Sequence, residues 1–104
     1  MDQKTAERIV LGKKKSGEKF PITIGIGIPY QSDQGSWACP VALEGLHQEL
    51  ADIHGVDSFQ ALMLGISLVK NLLLSFEEKG GELWTNDETE RLCIEDIFTS
   101  GFGL

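Results

Sequence analysis

Between positions 20 and 28, apolar residues occupy every second place: Phe20, Ile22, Ile24, Ile26 and Ile28, separated by Pro21, Thr23, Gly25 and Gly27. Successive side chains of a strand point to opposite faces, so this period of two predicts a strand with one face in the core. Just before it, residues 6–11 alternate similarly and predict a first strand with Ile9 and Leu11 on one face. Residues 12–19, rich in lysine, glycine and serine, reverse the chain between the two. Pro29 lacks the N–H that a ladder needs, and Ser32, Asp33, Gln34 and Gly35 after it read as a polar turn. A third strand then places Trp37, Cys39, Val41 and Leu43 on one face, with Pro40 marking an edge or bulge. Residues 46–54 fit two patterns, because Leu46, Leu50 and Ile53 suit a helix while Ala51 and Ile53 suit a strand. A turn at Gly45 favours the strand, which would complete a meander.

From residue 57 the period changes to that of a helix, and it runs to residue 79. Asp57 is placed to accept the first backbone N–H groups, and Gln60 three residues on to reach back in a capping box. Lys79 brings positive charge to the far end, and Gly80 can adopt the left-handed conformation that closes a helix. Phe59, Leu62, Ile66, Val69, Leu73 and Phe76 form a stripe expected to lie on the sheet. Leu64, Leu68, Leu72 and Leu74 fall outside that stripe, and only Ser67, Lys70, Asn71 and Ser75 interrupt the apolar run. A second cover is therefore expected. One source is the C-terminal segment, with Leu83, Trp84, Leu92, Ile94, Ile97, Phe98 and Phe102; the other is a second protein chain, for which Leu64, Leu68 and Leu72 would be the interaction surface. Asn86 reads as the cap of a short second helix ending at Phe98.

These elements define an α+β domain: an antiparallel sheet of three to four strands, one long helix packed across one face, and a short C-terminal element. At 104 residues the chain is expected to form a single domain. Its 41% apolar and 24% charged residues are those of an ordinary globular protein. The formal charge of -7 opposes binding to phosphate backbones, so nucleic acid is not expected as a partner. Lys13, Lys14, Lys15 and Lys19 read as a solvated hairpin tip. The first eight residues carry no apolar signal segment, which makes the cytoplasm the expected location. Residues 61–76 fall short of the ~20 residues of a membrane span and contain Ser67, Lys70 and Asn71, so no membrane is expected either.

Chemistry is harder to find. Cys39 and Cys93 have no CxxC spacing and read as buried free thiols. His47 and His54, with Cys39, Asp52 and Asp57, lack the short regular intervals of a metal site or an activated nucleophile. Gly25 and Gly27 form a GxG without the third glycine and following helix of a dinucleotide fold; they are expected to admit a close neighbour. Asp57-Ser58-Phe59 is similar to the phosphopantetheine attachment signature of acyl carrier proteins. The strands upstream, and the lack of Asp or Glu between Ser58 and Phe76, separate it from that class, leaving Ser58 as a first-turn residue beside a cap. Trp37 and Trp84 read as core or rim aromatics. No catalytic, metal or cofactor-binding residue is assigned.

As a set, Ala6-Glu7-Arg8, Ile26-Gly27-Ile28-Pro29, Trp37-Ala38-Cys39-Pro40, Glu44-Gly45-Leu46 and Gly55-Val56-Asp57-Ser58-Phe59-Gln60-Ala61-Leu62 resemble a family of small uncharacterised bacterial proteins, a domain of unknown function. The resemblance runs from about Ala6 to Trp84, supports the strand reading of residues 46–54, and implies no activity. The functional expectation is a non-enzymatic module that binds a protein or a second copy of itself. An immunity-like inhibitor of a basic toxin, and a small enzyme using Cys39 or a histidine, are the alternatives.

Overall fold

The computed structural model describes residues 3–98. The strands are β1 (Lys4–Lys13), β2 (Lys19–Gly27), β3 (Tyr30–Gln31), β4 (Trp37–Cys39), β5 (Val41–Glu44) and β6 (Ile53–Gly55). There follow the helix α1 (Ser58–Glu78), strands β7 (Glu82–Thr85) and β8 (Arg91–Leu92), and helix α2 (Ile94–Phe98). The fold is α+β, and every strand pair is antiparallel. The sheet is larger than expected: five strands in the order β5-β2-β1-β7-β8, beside a second sheet of three in the order β3-β4-β6. The extra strands are only two to four residues long, so local alternation carries little sign of them.

Pro40 divides the third predicted strand. Residues before it pair with β3 and β6, and residues after it pair with β2. Proline offers no N–H to a ladder, and its carbonyl instead accepts the Gly27 N–H at 2.8 Å, stitching the two sheets at the break. Gly27 is needed there, since a Cβ would lie 2.8 Å from the Pro40 ring. Residues 46–52 are not a strand; only Ile53–Gly55 is, and it returns to β4 instead of extending the meander beyond β5.

The core lies between α1 and the inner faces of both sheets. Ile22, Ile24 and Ile26 are buried as expected, whereas Ile28, one residue past the strand, is 49% exposed. In β1 the inward residue is Val10, fully buried, so Ile9 and Leu11 share the outer face, and Ile9 is 46% exposed. The pairing Val10↔Ile22 and Ile9↔Thr23 settles which face is which.

The caps of α1 follow the chemistry of its ends. Asp57 Oδ1 accepts the Gln60 N–H at 2.8 Å, and the Gln60 side chain reaches back one residue further, to the Val56 N–H at 2.7 Å. At the other end the N–H of Gly80 (φ +94) donates to Glu77 O and the N–H of Gly81 to Phe76 O, the pair of hydrogen bonds of a Schellman closure. The buried line along α1 is Ala61, Gly65, Val69 and Leu73. It shares Val69 and Leu73 with the predicted stripe, whose Leu62, Ile66 and Phe76 are half-buried against the core, while Phe59 departs altogether at 72% exposure. Small residues let the helix approach closely: a Cβ on Gly65 would stand 2.9 Å from Val41 Cγ1 and 3.5 Å from Cys39 Sγ.

The C-terminal segment divides its work. Leu83, Leu92 and Ile94 are buried in the core, and Ile97 and Phe98 of α2 pack against its edge. Trp84 lies on the outer sheet face opposite Leu11, and Phe102 lies outside the described residues. The helix start expected at Asn86 is instead the turn of the β7–β8 hairpin. Asp87 Oδ1 accepts the Thr85 and Thr89 hydroxyls, each at 2.7 Å, which commits this acidic stretch to a turn before any helix can begin.

Candidate functional site

Exposed apolar side chains lie together on the first turns of α1, apart from Ile9, Ile28 and Tyr30 elsewhere in the chain. Phe59 is 72%, Met63 49% and Leu64 43% exposed, and Val56 just before the helix is 78% exposed. At about 100° per residue these three helical positions, with Gln60 and Ser67 between them, form the side of α1 turned away from the sheet. Leu68 and Leu72, expected beside Leu64 on this surface, are half-buried and packed against the core, so they border the exposed face. Phe59 and Met63 were not anticipated there. The signal that reveals them is the glycine at 65, whose lack of a side chain moves the sheet-facing line toward Ala61 and Gly65 and rotates Phe59 outward.

By length and composition α1 could cross a membrane. Its 21 residues overturn the length part of the expectation drawn from 61–76, while Ser67, Lys70 and Asn71 still interrupt its apolar run. In the fold its inner line is taken by strands: β4, β5 and β6 all contact it, and a Cβ on Gly55 of β6 would lie 2.6 Å from the Ala61 nitrogen.

The polar candidates do not assemble into a reactive centre. Cys39 is fully buried, its thiol pushed up from the ordinary range first by burial and then by the charge of Asp52. Its sulfur points toward carbonyl oxygens, Gly27 O at 3.8 Å and Pro40 O at 3.6 Å, which accept from a thiol and repel a thiolate. Cys93 is exposed, contrary to expectation, because it opens α2 and donates to Asp96 Oδ2 at 3.0 Å. That hydrogen bond is the chief reason its pKa is also raised. Ellman titration at pH 8 is therefore expected to find one thiol, Cys93, in the folded protein and the second only after denaturation; two equivalents before unfolding would refute the burial of Cys39.

His47 and His54 are both exposed and lie on different elements, a loop and β6. His54 Nδ1 is 3.4 Å from Ser36 Oγ, itself 3.0 Å from Ser32 Oγ. Asp52, which could have completed such a row, receives the Tyr30 hydroxyl at 2.5 Å, and this bond raises the Tyr30 pKa. Among the described residues, no three His, Cys, Asp or Glu side chains are grouped to hold a metal ion. Ser58 is the exposed first residue of α1 beside its Asp57 cap. Lys14 and Lys15 sit at the β1–β2 turn, Lys14 paired with Glu18 at 3.2 Å, whereas Lys13 and Lys19 belong to the strands themselves.

The fold thus defines a two-sheet α+β domain that leaves an apolar helix face exposed. The chain belongs to the family described as a domain of unknown function, DUF6968, whose match extends over residues 6–94. No curated protein matches the chain, and no solved structure does.

Proposed function

We propose that this domain is a non-enzymatic protein-interaction module that self-associates, with the exposed face of α1 lying antiparallel against α1 of a second copy. The observation that carries this reading is the exposure of Phe59, Met63 and Leu64 along the first turns of a rigid helix. Apolar area withdrawn from water contributes roughly 25 cal/mol per Å², so side chains of this size favour a covered state. Charge supports a second copy as the cover. The chain is strongly acidic, yet no Asp or Glu lies between Ser58 and Phe76, so two copies can meet here without opposing their carboxylates. An antiparallel pair centred near Met63 sets Phe59, Met63 and Leu64 of one copy against those of the other, inside this carboxylate-free stretch. The contact is isologous, so it closes at two copies. The same reading keeps the protein in the cytoplasm, away from nucleic acid and membrane, in line with its charge and with the strands packed on the inner line of α1.

Sedimentation velocity tests this directly. The wild type is expected to run as a dimer and the double variant Phe59→Glu/Leu64→Glu as a monomer with an unchanged circular dichroism spectrum. Ile9→Glu, on the outer sheet face, is expected to leave the dimer intact. A wild type that is monomeric at high micromolar concentration, or a double variant that dimerises equally well, overturns the proposal.

A further inference from the structure

The face of the five-stranded sheet that α1 leaves open holds a cavity of about 150 Å³, lined by Leu11, Lys13, Lys19, Trp84 and Glu88. Strand register builds it. Leu11 stands opposite Trp84, and on the same face Lys13 stands opposite Lys19. Like charges directly opposite on paired strands repel, so this placement weakens the hairpin unless an anion lies between them. Glu88 answers one of the two, at 3.4 Å from Lys19 Nζ. The Lys13 ammonium stands outside every ion pair among the described residues. Its opposite number in register, Glu82, feels the Lys13 charge without an ion pair to it, while it accepts the Trp84 indole N–H at 3.0 Å and pairs with Arg91 at 3.6 Å.

Glu88 reaches the cavity at a conformational cost. It is the non-glycine residue with positive φ, +64, among those described, a region that bulky side chains seldom occupy. The β7–β8 turn holds it there: its N–H donates to Thr85 O at 2.8 Å, and Asp87 Oδ1 ties down the hydroxyls on either side. Strain of this kind persists where the surroundings over-determine it, and here its result is a carboxylate seated beside a lysine pair and an indole.

We propose that this cavity binds a small planar aromatic carboxylate, its ring against Trp84 and Leu11 and its carboxylate between Lys13 and Lys19, where it displaces Glu88. A space of this volume admits one benzene-sized ring, and an indole offers both apolar area and a stacking face. Glu88 then acts as an internal occupant of the anion seat, so an incoming carboxylate exchanges one ion pair for two.

Benzoate is the probe, with benzyl alcohol and acetate testing the ring and the charge separately. The ¹⁵N-labelled protein reports both indole N–H groups at once. The Trp84 cross-peak is expected to move saturably with benzoate while that of Trp37 stays fixed, with binding weaker in high salt. Lys13→Ala and Lys19→Ala are each expected to weaken binding about tenfold, and Glu88→Gln to tighten it several-fold. Both lysines have exposed or half-exposed side chains, so the variants should fold, and the remaining cross-peaks verify this. No saturable movement of Trp84, equal binding of benzyl alcohol or acetate, or an affinity that either lysine variant leaves unchanged would each overturn the site.

Discussion

Gly45→Ala is expected to destabilise the domain by roughly 3–5 kcal/mol, the sum of a strained backbone and a steric clash. Gly45 turns the chain after β5 with φ +98, a conformation that an L side chain rarely adopts. A Cβ there would lie 2.2 Å from the Pro21 carbonyl oxygen and 3.3 Å from its carbon. These are backbone atoms of β2, a central strand, so no side-chain rotation relieves the contact. The turn cannot easily move either, since the Leu46 and His47 N–H groups both bond to Leu43 O, at 3.0 and 2.9 Å. Against a net stability of about 5–15 kcal/mol for a domain, such a loss is a large fraction. Gly35→Ala is the control: φ is +90, but nothing lies within 4 Å of its Cβ. Only the backbone cost of about 1–2 kcal/mol then applies. Urea denaturation of both variants reads the difference. Equal losses would show that the Pro21 carbonyl yields freely.

Leu73→Ala is expected to cost about 2–5 kcal/mol, the range for emptying a leucine-sized site in a close-packed core. Leu73 is fully buried at the C-terminal end of the line Ala61, Gly65, Val69 and Leu73. The same truncation at Leu64, 43% exposed, should change the stability of the isolated chain by about 0.5 kcal/mol or less. Because Leu64 lies on the proposed contact, its effect should grow with protein concentration, as binding linked to the folded state requires. Denaturation at two concentrations measures both. A Leu73 variant with near-native stability would mean that α1 is not seated as described.

Two kinds of signal in the chain differ in reach. The period of two in residues 20–28 and the period of about four after Asp57 are set by one element meeting one surface, and both elements are present at nearly the expected positions. The caps of α1 were legible for a similar reason: Asp57, Gln60 and Gly80 act on backbone groups within a few residues of themselves. Which face of β1 turns inward was not legible, because Ile9, Val10 and Leu11 are all apolar. The register with β2 decides it, burying Val10 and leaving Ile9 in water. The split at Pro40 was visible as an irregularity, but its consequence, a second sheet, depends on partners at residues 30–31 and 53–55.

The candidate surface was only partly legible. The excess of leucine on α1 signals a second apolar side, and Leu64 is exposed on it; Phe59 and Met63, more exposed still, do not stand out in the sequence pattern as surface residues. The rotation that exposes them follows from Gly65 lying under Val41 and Cys39, a contact between residues more than twenty positions apart. The paired lysines of the outer cavity also depend on register: Lys13 and Lys19 read as part of one basic loop until the strands extend to include them.

By itself the amino-acid order determined that there would be an α+β domain with an Ile-lined strand, a capped helix of about six turns, and more apolar helix surface than one sheet could cover, because propensity, periodicity and capping act over neighbouring residues. Tertiary structure alone decided which apolar residues that sheet covers and which remain in water, because that depends on the close approach at Gly65, the break at Pro40 and the register of β1, each set by atoms distant in the chain.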